Sequence, residues 1–391
     1  MARLFDGYVT YAIIKQFNHQ RRRSATINQF NHQTITFMKA LVFNGPGKII
    51  YEDFPDPIIE DDRNLIIQVT KCSICGSDLH PYHGDKIGKT DYSKPMEKFC
   101  TGHEIIGEVV EVGKAVRNHR VGDKLLVAGG TGCGECLNCR SGKGNICTGY
   151  TKGKMSTAYG ISPKLQGGHA DYLQVYNADL SSMKIPDGVS DEQAVLLTDA
   201  LATGYYGVQM AGVKAGDTVA VIGQGPVGLM AAEAAYAAGA AKVYTIEPNK
   251  VRRLKSQAFG AIPLAPDLAI PTIMEDTKRL GVDAVIDAVG KGATINQALK
   301  IVKLGGRISI LGLIQKETAI PLFYAQMKSV TIHGGIAAVV DQWTDLLPLV
   351  QHGKIKGENV FTHHFQLKDG AEAYQLFEAQ ADGVMKIMMT P

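Results

Sequence analysis

Four cysteines at short, regular gaps are the part of this chain best suited to chemistry: Cys133-x2-Cys136-x2-Cys139-x7-Cys147. Thiolates two residues apart can wrap a single tetrahedral Zn²⁺, and such gaps are the usual reach of a zinc knuckle. The residues around them, such as Gly132, Gly134, Glu135 and Arg140 to Asn145, are small or polar. They cannot build an apolar core, so metal bonding would supply the local fold. A bacterial iron–sulfur run has three residues before its last cysteine and a proline after it, whereas this chain has seven and Thr148 follows. Zinc is the better match, against the duller reading of four reduced thiols in a loop.

Upstream, Cys72-Ser73-Ile74-Cys75-Gly76-Ser77-Asp78-Leu79-His80 and Gly102-His103-Glu104-Ile105-Ile106-Gly107-Glu108-Val109 offer thiolates, imidazoles and carboxylates. A catalytic zinc takes about three protein ligands and keeps one position open. Farther on, Gly223-Gln224-Gly225-Pro226-Val227-Gly228 has the GxGxxG spacing. Alone, a glycine-rich turn between any strand and helix would give the same letters. Here the apolar strand Thr218–Ile222 precedes it, an apolar helix running to about Ala238 follows, and Glu247 ends the next strand, 24 residues after Gly223. That is the setting a dinucleotide fingerprint requires. Gly223 would allow the tight turn, Gly225 the close approach of backbone to pyrophosphate, and Gly228 the packing of helix on sheet. Pro226 and Val227 open the helix, whose free N–H groups would face the pyrophosphate. The Glu247 carboxylate would hold the adenosine ribose hydroxyls and repel a 2′-phosphate, favouring NAD over NADP, although Lys250, Arg252 and Arg253 stand close by.

In this order, the Cys-Gly-Ser-Asp-x-His stretch, the Gly-His-Glu-x-x-Gly-x-Val stretch and the four-cysteine lobe resemble the zinc-dependent medium-chain alcohol dehydrogenases. The resemblance runs from about Met38 to Pro391, nearly the whole chain. It implies a GroES-like β-barrel catalytic domain joined to a Rossmann domain, two Zn²⁺ per subunit (one structural, one catalytic) and NAD. Carried over residue by residue, Cys75 and His103 would bind the catalytic zinc. The third ligand would come from the segment 196–205, where many relatives place cysteine and the polyol branch glutamate. No cysteine lies beyond Cys147, so Asp199 takes that place, which resembles the formaldehyde-dehydrogenase-like and secondary-alcohol branch. A helix-end cap is the alternative role for Asp199. Glu104 would be an alternating ligand or a supporting group. Asp78 would accept the N–H of His103 and fix its tautomer. Ser77 would hydrogen-bond the substrate oxygen, and His80 would pass the proton to solvent. Cys72 and Cys100 remain as buried reduced thiols.

The activity so implied is hydride exchange between a primary or secondary alcohol and NAD, giving an aldehyde or ketone. A polyol or amino-alcohol dehydrogenase of the same family is the alternative. From another class, a non-catalytic nucleotide-binding protein is opposed by the joint presence of Cys75, Ser77, Asp78, His80 and His103. The family suggests a homodimer or homotetramer.

These residues need particular elements to carry them. From Met38 to about Gly188 the pattern is strand-rich: Met38–Phe43, Asn64–Lys71, Ile105–Val112, Lys124–Val127 and Gly168–Val175. Ser190-x-x-Gln193 is a capping-box signal, followed by the helical run Ala194–Leu197. From Asp217 strands alternate with helices, as in a doubly wound parallel α/β sheet, with strands at Thr218–Ile222, Lys242–Glu247, Ala284–Ala288, Arg307–Leu311 and Ser329–His333. A strand Phe361–Leu367, a helix Gly370–Ala379 and a strand Val384–Met389 complete the return to the first domain. The expected domains are thus 38–189, 190–336 and the returning 337–391. Residues 1–37 carry a near-repeat, Gln16-Phe17-Asn18-His19-Gln20 and Gln29-Phe30-Asn31-His32-Gln33, and read as a disordered extension before a natural start at Met38.

Composition narrows the partners. The 391 residues carry a net charge of +3, but residues 1–37 hold five basic side chains and one acid, so the rest is −1. No basic face for nucleic acid is implied. No apolar run is long enough to span a membrane. All seven cysteines fall between Cys72 and Cys147, beside a His-Glu pair, which points to metal ligation in a reducing, cytoplasmic setting.

Overall fold

Phe37–Phe43 is the first strand of the described residues and pairs with Ile49–Pro55 on one side and Phe99–Cys100 on the other. The computed structural model describes residues 36–149, 158–314, 318–357, 360–381 and 383–391; the near-repeat and the expected extension before Thr36 lie outside them. A seven-stranded mixed sheet follows, in the order Ser182–Lys184, Lys124–Val127, Glu104–Val112, Leu65–Ser73, Lys386–Thr390, Phe361–Gln366, with Tyr172–Val175 also on Leu65–Ser73. It wraps a core that includes Leu41, Phe43, Leu65, Ile67, Phe99, Tyr159 and Tyr374. The GroES-like part is therefore closed by the last strand of the chain.

The second sheet has six strands, all parallel, in the order Ile262–Leu264, Lys242–Ile246, Thr218–Ile222, Val282–Asp287, Val302–Ile310, Thr331–Gly334. Central strands such as Thr218–Ile222 are buried almost throughout, as expected for a parallel sheet covered on both faces. The fold class is thus a GroES-like β-barrel plus a Rossmann α/β domain.

Most expected elements appear within two residues of their predicted ends, because turn residues and caps mark them. Ser190 accepts from Gln193 N at 3.2 Å while Gln193 Oε1 accepts from Ser190 N at 3.1 Å, which starts the helix Asp191–Thr198. Two departures have physical causes. The strand Val302–Ile310 begins five residues before the predicted Arg307, but its regular pairing starts at Arg307: Val302 alone pairs earlier, opposite Val282, and Gly305, at φ +68°, lies in the bulge between them. The helix Val339–Gln351, not predicted from the sequence, carries Pro348 inside it and buries Trp343, Leu346, Leu347 and Val350. Its apolar residues recur at helical spacing, and packing overrides the proline.

That helix joins the two parts. Trp343, Leu346 and Val350 share one core with Leu196, Leu201 and Met230, and with Ile106 and Leu126 of the barrel. A second helix–helix contact is close because it lacks side chains: a Cβ on Gly204 would lie 2.6 Å from Ala231 N. The helices Ala200–Met210 and Pro226–Ala237 therefore approach backbone to backbone. The segment between Thr198 and Ala200 is held at this seam.

Candidate active site

Three of the predicted ligands converge there. Cys75 Sγ, a His103 ring nitrogen and an Asp199 carboxylate oxygen all lie within 4.8 Å of one another. Cys75 Sγ is 3.3 Å and His103 Nε2 3.5 Å from Asp199 Oδ2. Each donor is fixed by its backbone. Cys75 ends the run after the strand Leu65–Ser73. His103 follows Gly102, whose φ of +93° and close packing exclude a side chain: a Cβ there would lie 2.2 Å from His169 Cδ2. Asp199 stands between two helices, and the carbonyls just before it are taken by Trp343 Nε1 (to Leu197 O, 2.9 Å) and Gly129 N (to Thr198 O, 3.0 Å). The Asp199 side chain makes no capping bond to backbone; its Oδ1 accepts from Thr203 Oγ1 at 2.7 Å instead. That leaves Oδ2 for the cluster.

Asp78 ties two donors together. Its Oδ2 accepts from Cys75 N at 2.8 Å, and its Oδ1 lies 3.0 Å from His103 Nδ1. With Nδ1 engaged, Nε2 turns to the cluster, the arrangement that fixes a ligating histidine's tautomer. Ser77 Oγ is 3.0 Å from His103 Nε2 and 3.3 Å from Cys75 Sγ. His80 is set apart, with Nδ1 2.9 Å from Asp85 Oδ2. Glu104 does not join the three donors. Its Oε2 accepts from Ser73 Oγ and lies 2.5 Å from Lys386 Nζ.

Electrostatics follow from this packing. Burial would push the Asp199 carboxyl up, but His103 and Thr203 outweigh it and hold the group well below the usual carboxylate range. Burial would push His103 down, and Asp78 and Asp199 instead raise it well above an ordinary histidine. Burial pushes the Cys75 thiol up, with Asp199 adding to the effect. A concentrated anionic pocket around one imidazole suits a divalent cation, with thiolate, nitrogen and carboxylate as its donor set.

The second cluster is the cysteine lobe. The sulfurs of Cys133, Cys136, Cys139 and Cys147 all lie within 4.8 Å of one another, and the pairs Cys133–Cys139 and Cys136–Cys147 are each 4.0 Å apart. Tetrahedral ligation at Zn–S of about 2.3 Å needs sulfurs ~3.8 Å apart, so these positions fit a zinc with little movement. Backbone N–H groups of Glu135 and Cys136 donate to Cys133 Sγ at 3.4 and 3.3 Å, and Cys133 N and Gly149 N donate to Cys147 Sγ. Such bonds favour thiolates. All seven cysteines are free, and Cys72 and Cys100 are fully buried away from both clusters.

The glycine-rich turn meets the terms set by its spacing. Gly223 has φ +86°, and a Cβ on it would sit 2.5 Å from Val289 Cγ2. A Cβ on Gly228 would sit 1.9 Å from Gly223 O, whereas one on Gly225 would meet nothing within 4 Å. Gly225 caps the helix Pro226–Ala237, with Pro226 and Val227 in its first turn. The space beside Gly225 is open, as the expected close approach of a ligand to the backbone requires. Glu247 accepts from Gln224 N at 2.8 Å and Asn249 N at 2.9 Å, so the carboxylate is anchored to the turn.

Comparison with known proteins gives the family. Residues 61–187 match the alcohol dehydrogenase GroES-like domain, and residues 226–352 match the zinc-binding dehydrogenase model. A probable zinc-binding alcohol dehydrogenase of Mycobacterium tuberculosis is 36% identical over 355 residues, covering 90% of this chain and 89% of that one. The chain belongs to the zinc-dependent medium-chain dehydrogenase family. Among solved members of similar shape, alcohol dehydrogenase TADH from Thermus sp. ATN1 superposes with a TM-score of 0.83 at 31% identity, over 90% of this chain and 99% of that one. The 2R,3R-butanediol dehydrogenase of Bacillus subtilis gives 0.77 at 29%, over 90% and 99%. A zinc-binding dehydrogenase assignment from Sinorhizobium meliloti 1021, bound to NADP, gives 0.77 at 26%, over 91% and 100%. Like its relatives, this family member is an oxidoreductase. No helix among the described residues is long and apolar enough to cross a membrane.

Several supporting residues escaped sequence reading. Thr203 aims Asp199, Trp343 fixes the turn before it, and His169 packs on Gly102 while its ring nitrogens meet Thr101 Oγ1, Tyr374 OH and Ser73 O. Lys386 is buried against Glu104. Thr203 stands one helical turn from Asp199, a spacing that could have been read, but the others stand at no telling distance from their partners. The helical spacing around Trp343 is the other signal that could have drawn attention.

Proposed function

We propose that this protein exchanges hydride between a primary or secondary alcohol and NAD, interconverting the alcohol with an aldehyde or ketone, with two zinc ions per subunit. The observation that carries the reading is the convergence of Cys75, His103 and Asp199 beside the Ser77 hydroxyl. These three would hold the catalytic zinc, and Cys133, Cys136, Cys139 and Cys147 the structural one. Zinc at the first site supplies a Lewis acid that lowers the pKa of an alcohol hydroxyl. Ser77 Oγ would hydrogen-bond the substrate oxygen and relay its hydroxyl proton, giving up its own as it takes the new one. His80, oriented by Asp85, would deliver that proton to solvent. Asp78 would keep His103 Nε2 facing the metal throughout. Residues 38–189 with 337–391 would form the catalytic part and 190–336 the nucleotide-binding part.

NAD rather than NADP is favoured by Glu247, whose carboxylate lies at the turn and would repel a 2′-phosphate. The nearby arginines are occupied: Arg252 Nη2 donates to Val384 O, and Arg253 Nη1 donates to Glu247 O and Pro248 O. A polyol or other diol substrate is the second reading, supported by the likeness to the butanediol dehydrogenase. A cytoplasmic homodimer or homotetramer acting on small molecules completes the proposal.

The test is zinc per subunit together with NAD reduction over primary, secondary, aryl and polyol alcohols, for wild type and Asp199→Ala. Two zincs falling to one, with activity lost alongside, is the expected result. One zinc in both proteins and no reduction of NAD or NADP would leave a stapled nucleotide-binding protein.

A further inference from the structure

Lys386 and Glu104 form an ion pair with side chains 1% and 0% exposed. Lys386 is the one lysine or arginine among the described residues that is buried at all completely. Removing two charges from water costs several kcal/mol per ion, which their attraction offsets only with good geometry. Replacing such a pair by apolar residues is often neutral for stability, so the pair is weak evidence of a stabilising role.

Its position points to a different one. Lys386 opens the last strand, which lies beside Leu65–Ser73 with Met388 opposite Ser73. Ser73 in turn lies opposite Glu104 on the other neighbouring strand. Three residues from adjacent strands thus meet at one carboxylate, next to the ligand His103 in sequence. Glu104 Oε2 receives both Ser73 Oγ and Lys386 Nζ, while Glu104 Oε1 is buried without a partner. The Glu104 carboxylate is within electrostatic reach of Asp199 and His103, and Lys386 is within reach of Cys75 and Asp199. The carboxylate therefore flanks the donor set with one free oxygen, and Lys386 is the cation that restrains it.

We propose that Lys386 is a positioning residue: by pinning Glu104 Oε2 it keeps that carboxylate off the metal and leaves the fourth coordination position open to substrate. This rests on the metal site proposed above and adds the residue that decides whether Glu104 acts as a ligand. Without Lys386 the freed carboxylate, desolvated and with no counter-charge, would turn to the metal.

The test uses the full chain with Co²⁺ in the Cys75–His103–Asp199 site, its visible spectrum titrated with imidazole as a ligand for the open position. Wild type and Lys386→Arg should bind imidazole alike. Lys386→Met should bind it about 10–100-fold more weakly, the range seen when a group supporting a metal site is lost. Lys386→Met/Glu104→Gln should recover wild-type affinity, because the competing carboxylate is gone. Unchanged imidazole affinity in Lys386→Met, or no recovery in the double variant, overturns the proposal. If Lys386→Met does not fold, Glu104→Gln with and without Lys386→Met carries the test: equal affinities support it, and unequal ones show that Lys386 acts by another route. A wild-type chain that takes up no cobalt at this site overturns the metal site itself, which separates that failure from the failure of the lock.

Discussion

Two glycines of the same motif should fail for opposite reasons when given a methyl group. At Gly228 a Cβ would stand 1.9 Å from Gly223 O, and real contacts of this kind do not fall below 3.0 Å. Helix and turn must part by about 1.1 Å in Gly228→Ala, an overpacking that costs ~1–3 kcal/mol. For a domain of this size each kcal/mol lowers the melting temperature by about 2–4 °C. At Gly225 the space is open and φ is −70°, so alanine fits the backbone. The weaker N-cap and the reduced entropy of the unfolded chain are each worth up to about 1 kcal/mol with opposite signs, leaving stability near wild type. The same methyl would, however, stand where a pyrophosphate approaches. Losing one hydrogen bond to a charged group costs about 1.5–3 kcal/mol, or roughly 10- to 150-fold in affinity. Thermal melts read the first effect and NADH fluorescence titration the second. Gly225→Ala should melt like wild type and bind the dinucleotide weakly, and Gly228→Ala should melt lower. If Gly225→Ala binds as tightly as wild type, the turn does not cradle a phosphate and the reasoning is wrong.

Two further outcomes follow from the same geometry. Cys136→Ser should remove one zinc per subunit and open the chain between Cys133 and Gly149 to limited proteolysis, because that lobe has no apolar core and rests on metal bonding, N–H···S contacts and local hydrogen bonds; protection equal to wild type would contradict it. Glu247→Gln should raise the KM for NAD by about tenfold or more and narrow the preference against NADP, since one charged acceptor is lost and a 2′-phosphate is no longer repelled; an unchanged ratio of kcat/KM for the two cofactors would place the ribose elsewhere.

Local spacing wrote much of this protein into its sequence. The two-residue gaps of Cys133, Cys136 and Cys139 put three sulfurs on one short loop whatever the rest of the fold does. Gly223, Gly225 and Gly228 act within one turn, and the Ser190–Gln193 box starts its helix by bonds over three residues. Such features depend on neighbours along the chain, so the letters alone define them. The third donor, Asp199, was reached through family likeness and not through spacing, because 124 residues separate it from Cys75.

What the tertiary structure decided is the company these groups keep. Trp343 reaches back 146 residues to fix the turn before Asp199. Lys386 meets Glu104 only because the last strand of the chain inserts beside Leu65–Ser73 in the first domain's sheet. The helix Val339–Gln351 forms despite its internal proline because its apolar face completes a core shared by both parts. A sequence fixes which side chains are available and how close neighbours can act together. Burial and long-range strand pairing, which have no fixed sequence distance, determine whether a carboxylate becomes a metal ligand or the partner of a lysine.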